Sequence, residues 1–475
     1  MNDKLRKILA DKEKVLLIII LLFSAFLRLY QLGNAPLWID ESTSAIASMK
    51  ILEKGIPVFD SGAYYSRALI QHYTQALFLI ISKSDYAVRI PSVIFGLLTI
   101  ILAYKIGKEY SKSGGIIAAL FTGIFYLEVF YSRQARFYQL FQLLFYYSIY
   151  ALYKSKDNKY WLYTAIITLI ITINTQVAGL VLTPIFIIHI LHYQKKLHKL
   201  WAIIPGILLI QKLLPAKGLA SNSTTTAVNL ATKYLGFTNN MHYLIILAVI
   251  GMLWAFMKNK NLTTMIILPS IILLIGVLDL QVFALRYAYF ITLPIILYSS
   301  ILLSILYEKY GRIMIIAILL VIIIPSNLVY PQTYINVIIP INYNINDYTA
   351  PEIILKDIPT TIINELRNNT MITFFSSTAE WYIKKPEYVL PFSMDGRGTD
   401  QISYNNSEGI RVDVYSGAPI INYEELKTLK KPYYIITDYY STTKLKPEQK
   451  TLLEEAINNC SQTTNNKKVT IIKCS

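Results

Sequence analysis

Long apolar runs alternate with short polar segments along the first 330 residues of the chain. A helix rises about 1.5 Å per residue, so about 20 apolar residues cross the roughly 30 Å hydrocarbon core of a membrane. On that scale the pattern predicts about eleven membrane-spanning helices. They fall at 15–32, 89–105, 114–132, 136–153, 161–174, 177–193, 200–214, 242–257, 262–280, 285–306 and 312–330.

The stretch 68–82, with the sequence ALIQHYTQALFLIIS, decides the orientation of the chain. If it does not cross, every basic cluster between the predicted spans lies on the side of the N-terminus, and if it crosses, they all face outward. These clusters are KIGKEYSK, KSKDNK, QKKLHK, KNKN and EKYGR. Because cytosolic loops carry the excess of Lys and Arg, we interpret 68–82 as an amphipathic helix in the outer interface. The N-terminus is then cytosolic, and the first external loop, 33–88, and the C-terminal part lie outside.

The pattern changes after residue 330. Residues 331–475 are richer in Asn, Thr, Glu and Lys, and their apolar runs shorten to strand length. We expect strands at TMITFFSS, RVDVYS, PYYIITD and VTIIKC, and helices at PTTIINELRNN, YEELKTLKK and KPEQKTLLEEAINN. The predicted architecture is a polytopic α-helical membrane domain, 1–330, followed by an extracytoplasmic α/β domain, 331–475.

Composition agrees with this architecture. The chain has 475 residues, 54% of them hydrophobic and only 16% charged, and its mean hydropathy is +0.43. The net charge of +16 comes from clusters between apolar runs, so it does not indicate a nucleic-acid partner. No small-residue cleavage site follows the first run, which favours a retained span over a signal peptide. Cys460 and Cys474 either pair in a disulfide or stay free.

Two carboxylates, Asp40 and Glu41, stand in LWIDEST, just after the first predicted span. One interpretation makes Asp40 the N-cap of a helix over ESTSAIASMKILEK, with Glu41 favoured by the helix dipole. The other makes Asp40 a catalytic group. The two roles are compatible, because a capping carboxylate is kept ionised.

Four arginines fall in the predicted outer loops, where the charge rule disfavours them: Arg67, Arg133, Arg136 and Arg286. Arg133 and Arg136 are three residues apart and share a face if the segment is helical. Each arginine alone is explained by snorkelling of its head group into water. The set as a whole favours an anionic ligand, because guanidinium groups bind phosphate oxygens in pairs of hydrogen bonds. His72 and Glu128 are weak signals by themselves.

Several chemistries lack their sequence motifs. The chain contains no G-x-x-x-x-G-K-[ST], no G-x-G-x-x-G and no H-E-x-x-H. It also has no G-x-S-x-G elbow. These observations argue against ATP-driven transport, dinucleotide chemistry, zincin proteolysis and α/β-hydrolase chemistry.

A resemblance rests on motifs in a fixed order: LRLYQLGNAPLWIDESTSA, YYSRALIQHY, YAVRIPSVIFGLLTIILAYKIGKEY and YSRQARFYQL. Together they resemble the opening third of GT-C glycosyltransferases that use polyprenyl-phosphate sugars, in the family 39 group of protein O-mannosyltransferases and their relatives, the lipid A aminoarabinose transferases. The resemblance covers about 25–150 and is weaker at LRYAYFITLP. It places the catalytic aspartate on Asp40, with Glu41 beside it. Family members often read Q-E-A-R where this chain has Arg133-Gln134-Ala135-Arg136, so a second acid is missing, and Glu128 is a possible substitute.

The resemblance implies a sugar donor linked through phosphate to a lipid, and a hydroxyl acceptor on a protein, lipid or glycan. The lipid phosphate leaves as an anion, so the reaction needs one base and cations that hold the phosphate. Asp40 is the expected base, and transfer is expected to invert the anomeric centre. The residues expected to contact the lipid phosphate or substrate are Arg67, His72, Glu128, Arg133, Arg136, Tyr138, Arg286 and Tyr287. A divalent metal ion could assist, although no strong ligand set is visible.

Two other functions compete with this one. A lipid-linked glycan flippase or other transporter would place ionisable residues inside its spans, where they are scarce. A surface sensor would use the membrane part only as an anchor, which leaves the outer acids and arginines without a role. The favoured prediction is a multi-pass enzyme of the plasma membrane with an extracytoplasmic active site.

Overall fold

A computed structural model of the chain describes residues 12–213, 242–278, 285–323, 355–391, 403–443, 445–458, 460–466 and 469–475. These residues form two compact units. The first holds the described residues of 1–32, Arg67–Gln71 and the described residues of 89–348. The second holds Gly33–Ser66, His72–Val88 and the described residues of 349–475. The predicted boundary at residue 330 stays a prediction, whereas most of the first external loop packs with the C-terminal part.

Helices make up most of the described chain. They are α1 (Lys12–Leu29), α2 (Ile39–Lys54), α3 (Leu69–Ile81), α4 (Asp85–Lys108), α5 (Lys112–Ile124), α6 (Tyr126–Ser132), α7 (Tyr138–Lys154), α8 (Tyr160–Thr175), α9 (Thr183–Tyr193), α10 (Ile203–Leu213), α11 (His242–Lys258), α12 (Lys260–Leu278), α13 (Leu285–Ala288), α14 (Thr292–Tyr310), α15 (Met314–Ile323), α16 (Thr360–Asn368), α17 (Ser376–Tyr382), α18 (Tyr439–Thr443) and α19 (Pro447–Ile457). Each of the eleven predicted spans contains a described helix, so its helical character is confirmed. Residues 214, 279–280 and 324–330 of those spans lie outside the described residues.

Three of the described helical segments are long and apolar enough to cross a membrane: Asp85–Lys108, Lys260–Val277 and Arg286–Tyr310. A fourth crossing exists if α5 and α6 count as one span, although these helices meet at an angle of 60°. Phe125 lies between them in an extended conformation, with φ −62° and ψ 128°, which ends the helical hydrogen bonding. The predicted total of about eleven crossings stays a prediction.

Helix α3 covers the stretch that decides the orientation. Its 13 residues are too few to cross a membrane alone. Leu77, Ile80 and Ile81 are 62–81% exposed, whereas other side chains of the helix are buried. This one-sided apolar exposure is typical of an interfacial helix, which agrees with the interpretation of 68–82.

Close helix packing in the first unit depends on a small side chain. A Cβ atom at Gly251 of α11 would lie 1.9 Å from the carbonyl oxygen of Tyr298 on α14. No larger residue fits without a backbone shift. Small residues at such contacts are the usual means of close helix packing in membranes.

The second unit contains a five-stranded sheet in the order β2-β1-β5-β7-β6. The strands are β1 (Thr370–Thr373), β2 (Tyr388–Val389), β3 (Ser403–Asn405), β4 (Arg411–Asp413), β5 (Tyr433–Asp438), β6 (Ser461–Asn466) and β7 (Val469–Cys474). Strand β1 runs parallel to β2 and β5, whereas β7 runs antiparallel to β5 and β6. Strands β3 and β4 form a separate antiparallel pair. All six residues of β5 are buried, as expected for a central strand covered on both faces.

The tail confirms most of its predicted elements and corrects two. The segment TMITFFSS is a strand only to Thr373, and α17 begins at Ser376. The segment YEELKTLKK forms only a single 3-10 turn, Glu425–Thr428. The reason is that Leu429 is already extended and Leu426 is the one buried residue of the turn, so a longer helix would have little apolar surface to pack.

Cys460 and Cys474 form a disulfide with a Cα–Cα distance of 4.4 Å. The bond joins the residue before β6 to the last residue of β7, and these strands are neighbours in the sheet. Sequence analysis left this pairing open.

Candidate active site

The helix that carries Asp40 starts two residues earlier than a cap at Asp40 would allow. Helix α2 begins at Ile39, and Trp38 is its N-cap residue. The backbone N–H of Trp38 donates to Glu41 Oε2 at 3.4 Å, so Glu41 satisfies a donor at the helix start. The interpretation of Asp40 as the N-cap is therefore wrong. Glu41 is buried and has this structural bond, whereas Asp40 is half-buried in the first turn.

His72 belongs to the same compact unit as Asp40. Its Nδ1 lies 3.2 Å from Gln75 Oε1, which also accepts a hydrogen bond from Ser48 of α2 at 3.0 Å. The ring of Tyr65 is 5.1 Å from the imidazole. These contacts give His72 a structural role beside α2, and its predicted role in binding substrate stays a prediction.

Arg67 lies at a sharp turn before α3. Ala68 has a positive φ of 54°, a conformation that residues with a Cβ rarely adopt. Asn174 stabilises this turn, because its backbone oxygen accepts from Ala68 and its Oδ1 accepts from Leu69 N at 3.2 Å. The guanidinium of Arg67 donates to Gln176 Oε1. The turn and its partners therefore fix where the Arg67 side chain begins.

Arg67 and Arg136 flank the same aromatic ring. The Cζ atoms of Arg67 and Arg136 are 4.2 Å and 4.9 Å from the ring centre of Phe137. The Arg136 guanidinium also lies 5.8 Å from the ring of Tyr138. The carbonyl of Arg136 accepts from Ser92 Oγ at 3.3 Å, which ties the segment to α4. Two guanidinium groups beside one ring form a compact basic surface suited to a phosphate.

The expectation that Arg133 and Arg136 share a helical face is wrong. Helix α6 ends at Ser132 and α7 begins at Tyr138, so both arginines lie in the connection between them. Neither Gly nor Pro marks this break in the sequence. Arg133 Nη1 instead donates to the carbonyls of Leu27, Arg28 and Tyr30 at 2.8–3.1 Å. These bonds satisfy carbonyls at the end of α1, and they give Arg133 a structural role in addition to its predicted contact with substrate.

Glu128 is the centre of a buried polar network. Its carboxylate accepts from Tyr289 Oη at 2.6 Å, Thr292 Oγ1 at 2.5 Å and Gln142 Nε2 at 2.9 Å. Gln139 Oε1 lies 2.6 Å from the same tyrosine hydroxyl. The network therefore joins α6 to α7 and to the segment just before and at the start of α14. Glu128 itself is buried inside α6.

Sequence reasoning missed Tyr289, Thr292, Gln139 and Gln142. The signal was weak but present, because both glutamines interrupt the apolar run YQLFQLLF at a spacing of three. Polar side chains within a span that share one helix face indicate a buried hydrogen-bond network.

The network predicts a stability effect. Glu128→Ala should lower the thermal unfolding midpoint of the detergent-purified protein, because each buried donor left without its acceptor costs roughly 1–3 kcal/mol. Glu308→Ala is the matched control, since the exposed Glu308 accepts from Ser113 Oγ at 2.9 Å. Thermal unfolding followed by size-exclusion chromatography measures both variants. Equal midpoints for the two variants would show that the network contributes little.

Arg286 and Tyr287 stand on the short helix α13, three and two residues before Tyr289. Arg286 Nη2 donates to Tyr287 Oη at 3.4 Å, and its Cζ lies 5.0 Å from the centre of that ring. Both residues are half-buried. The Glu128 network holds Tyr289 and therefore also limits where this helix can lie.

The described residues offer no evident ligand cluster for a metal ion, because no group of three or more His, Cys, Asp or Glu side chains among them is arranged to hold one. The predicted assistance by a divalent ion stays untested.

One family model matches the sequence. Residues 66–216 match a family described as dolichyl-phosphate-mannose-protein mannosyltransferase. This segment is shorter than half of the chain. It contains Arg67, His72, Glu128, Arg133, Arg136 and Tyr138. No curated protein sequence matches the chain significantly.

Solved structures with a similar fold are membrane transferases. ArnT from Cupriavidus metallidurans in the apo state has a TM-score of 0.62 at 11% identity, with 97% of each chain covered. The same protein bound to undecaprenyl phosphate has a TM-score of 0.59, with the same identity and coverage. The oligosaccharyltransferase of Archaeoglobus fulgidus has a TM-score of 0.55 at 12% identity and covers 93% of this chain and 70% of its own.

These likenesses confirm the resemblance to GT-C glycosyltransferases. At such low identity the structural matches establish the fold alone. With the long apolar helices, that fold indicates a membrane protein.

Proposed function

We propose that this chain is an integral membrane glycosyltransferase that moves a sugar from a polyprenyl-phosphate-linked donor to a hydroxyl acceptor. The observation that carries the proposal is the pair of guanidinium groups at Phe137, which falls inside the segment that matches the mannosyltransferase family model. The likeness to a GT-C protein bound to undecaprenyl phosphate supports the same class of donor.

The arginines supply the electrostatic part of the reaction. As the bond between sugar and phosphate breaks, negative charge grows on the departing lipid phosphate. Arg67 and Arg136, flanking one ring, are suited to bind its oxygens, and Arg286 is a third candidate. Donors held in place before the reaction stabilise such charge without reorganising during it.

Asp40 supplies the remaining requirement, a base. It takes the proton of the acceptor hydroxyl as the oxygen attacks the anomeric carbon and the phosphate leaves with the bonding electrons. The half-buried Asp40 lies in the first turn of α2, where the positive end of the helix dipole interacts favourably with a carboxylate. A single displacement of this kind inverts the anomeric centre.

The active side of the protein is proposed to be extracytoplasmic. The disulfide between Cys460 and Cys474 supports this, because disulfides persist mainly in oxidising compartments. The basic clusters between predicted spans support a cytosolic position for the opposite side. The plasma membrane is the compartment that fits both arguments, and the acceptor is a protein, lipid or glycan.

A comparison of donors tests the proposal. Purified protein in liposomes is given either a short synthetic polyprenyl-phosphate hexose or the corresponding nucleotide sugar, together with acceptors that carry hydroxyl groups. We expect labelled product only from the lipid-linked donor. Product from the nucleotide sugar alone would contradict the proposed donor, and vesicle-to-vesicle movement of intact donor without transfer would favour the flippase.

A further inference from the structure

The start of the Asp40 helix is built into the core of the C-terminal domain. Ile39, the residue before Asp40, belongs to the apolar cluster formed by the sheet and helices of that domain. Only 9% of its surface is exposed. Two other members of this cluster, Ile372 and Ile435, come from the central strands β1 and β5 and are fully buried. The external loop and the tail therefore share one core.

A tyrosine of the tail holds the backbone just before Asp40. The N–H of Leu37, itself fully buried, donates to Tyr382 Oη at 2.7 Å. The same hydroxyl donates to Asp85 Oδ2 at 2.9 Å. Asp85 also accepts from Trp381 Nε1 at 2.8 Å and from Lys356 Nζ at 2.9 Å. Tyr382 is thus fixed by a carboxylate that two other groups of the tail, Trp381 and Lys356, hold in place.

Two further contacts hold α2 against α17. Thr43 Oγ1 donates to Ser377 Oγ at 3.1 Å, one turn after Asp40. Near the other end of α2, the buried Lys50 pairs with Glu380 at 3.4 Å and with Asp60 at 3.0 Å. Contacts at the start, middle and end leave α2 little freedom to rotate or slide.

The pKa shifts of Lys50 and Asp60 show whether these two side chains are charged at neutral pH. Burial alone would lower the pKa of Lys50, but its hydrogen bonds to Asp60 and Glu53 outweigh burial and raise the pKa. For Asp60, burial raises the pKa, but the hydrogen bonds from Lys50 and Lys54 act in the opposite direction. The net result is a lowered pKa. Lys50 and Asp60 therefore stay charged near neutral pH and their ion pair persists, whereas burial raises the pKa of Glu380, the partner of Lys50 on α17, against the opposing effect of Lys50.

We propose that Tyr382 is a positioning residue for the reaction and that α17 of the C-terminal domain sets the orientation of Asp40 through the backbone at Leu37. This inference rests on the proposed function, because it assigns a task to the tail within that reaction. Loss of the Tyr382 hydroxyl would remove the hydrogen-bond acceptor of the buried Leu37 N–H and one donor to Asp85. The first turn of α2 would then lose its fixed start, and Asp40 would sample orientations that do not reach the acceptor proton.

The test compares Tyr382→Phe with Tyr433→Phe. Tyr433 is a buried tyrosine of β5 whose hydroxyl donates to the Leu426 carbonyl at 3.0 Å, so its hydrogen bond stays within the tail. For Tyr382→Phe we expect amide exchange of the segment 33–41 to rise about tenfold, the effect of one hydrogen bond worth roughly 1.4 kcal/mol. We expect kcat to fall about 10–100-fold with the donor KM nearly unchanged, because a misplaced catalytic group costs rate and not binding. Tyr433→Phe should change neither quantity.

The outcomes separate the inference from the proposed function. A wild type that transfers sugar, together with a Tyr382→Phe variant that matches Tyr433→Phe in exchange and kcat, would overturn the positioning role alone. A rise in KM with unchanged kcat would also overturn it. A wild type that transfers no sugar would overturn the proposed function, and the exchange measurement would still decide whether Tyr382 holds the segment. If Tyr382→Phe fails to fold, Asp85→Asn, which weakens the acceptor of the tyrosine hydroxyl, takes its place with the same expectations.

Discussion

Asp40→Asn lowers kcat for sugar transfer by about 10²–10⁴-fold, the usual contribution of a general base. The amide has nearly the same shape as the carboxylate but cannot accept the proton of the acceptor hydroxyl. Binding of the lipid-linked donor should hardly change, because the base acts on the acceptor. Initial rates at saturating donor and acceptor, measured with purified protein in liposomes, give kcat directly.

Two neighbouring carboxylates serve as controls for this variant. Glu41→Gln keeps an oxygen that can accept from Trp38 N, so we expect a loss of only a few-fold if Glu41 acts mainly at the helix start. Glu53→Gln, on the same helix, changes a side chain that is 47% exposed and keeps an oxygen that can accept from Lys50 Nζ, so it should leave kcat nearly unchanged. An Asp40→Asn enzyme as active as Glu53→Gln would remove Asp40 as the base. A larger loss in Glu41→Gln than in Asp40→Asn would transfer the role to Glu41.

The double variant Arg67→Gln with Arg136→Gln binds polyprenyl phosphate at least 100-fold more weakly than the wild type. Hydrogen bonds to a charged group contribute about 1.5–3 kcal/mol each, and 1.4 kcal/mol corresponds to a tenfold change in affinity. Two such bonds therefore account for the expected loss. Glutamine retains a polar side chain over Phe137 and removes only the charge and the paired donors. Titration of a polyprenyl phosphate into detergent-purified protein measures the affinity.

Binding of the neutral alcohol polyprenol serves as a control. It shows whether the double variant has lost recognition of the phosphate charge or has lost the site for the lipid tail. The affinity for polyprenol should be the same in the wild type and the double variant, because polyprenol carries no phosphate. Arg367→Gln, an exposed arginine of α16, is the control for removal of a guanidinium elsewhere. Unchanged phosphate affinity in the double variant would rule out the surface at Phe137 as the phosphate site. An equal loss for polyprenol would indicate damage to the lipid tail site.

Hydrophobic runs predicted the helices of the chain well, because a span needs a continuous apolar surface whatever its neighbours are. The ends and breaks were less predictable. The segment from Arg133 to Phe137 contains no helix breaker, and its conformation depends on the bonds of Arg133 to carbonyls at the end of α1. Such contacts join residues more than 100 positions apart, and no local pattern records them.

The role of the tail shows the same limit more strongly. Short apolar runs were sufficient to predict the buried strands β5 and β7. Nothing in the sequence pairs Thr43 with Ser377, which stand 334 positions apart, or Leu37 with Tyr382. Sequence analysis therefore assigned the external loop to the membrane domain, whereas the loop shares its core with the C-terminal domain.

The different roles of Asp40 and Glu41 could be assigned only from the structure. LWIDEST allows a helix to start at several positions, since both Asp and Glu favour a first turn. Because the helix starts at Ile39, the carboxylate that accepts from the N–H of Trp38 is that of Glu41. Asp40 does not have this capping role. Sequence analysis had treated the two carboxylates as a pair.

A single-turnover reaction with a doubly labelled donor tests the central claim most directly. The donor carries ¹⁴C in its sugar and ³²P in its phosphate, and the protein is in excess over it. The account predicts that the wild type moves ¹⁴C to the acceptor and leaves ³²P on the polyprenyl lipid as polyprenyl phosphate, whereas Asp40→Asn leaves both labels on the intact donor. In the wild type, movement of ¹⁴C and ³²P together to the acceptor, or retention of both on the intact donor, would contradict it.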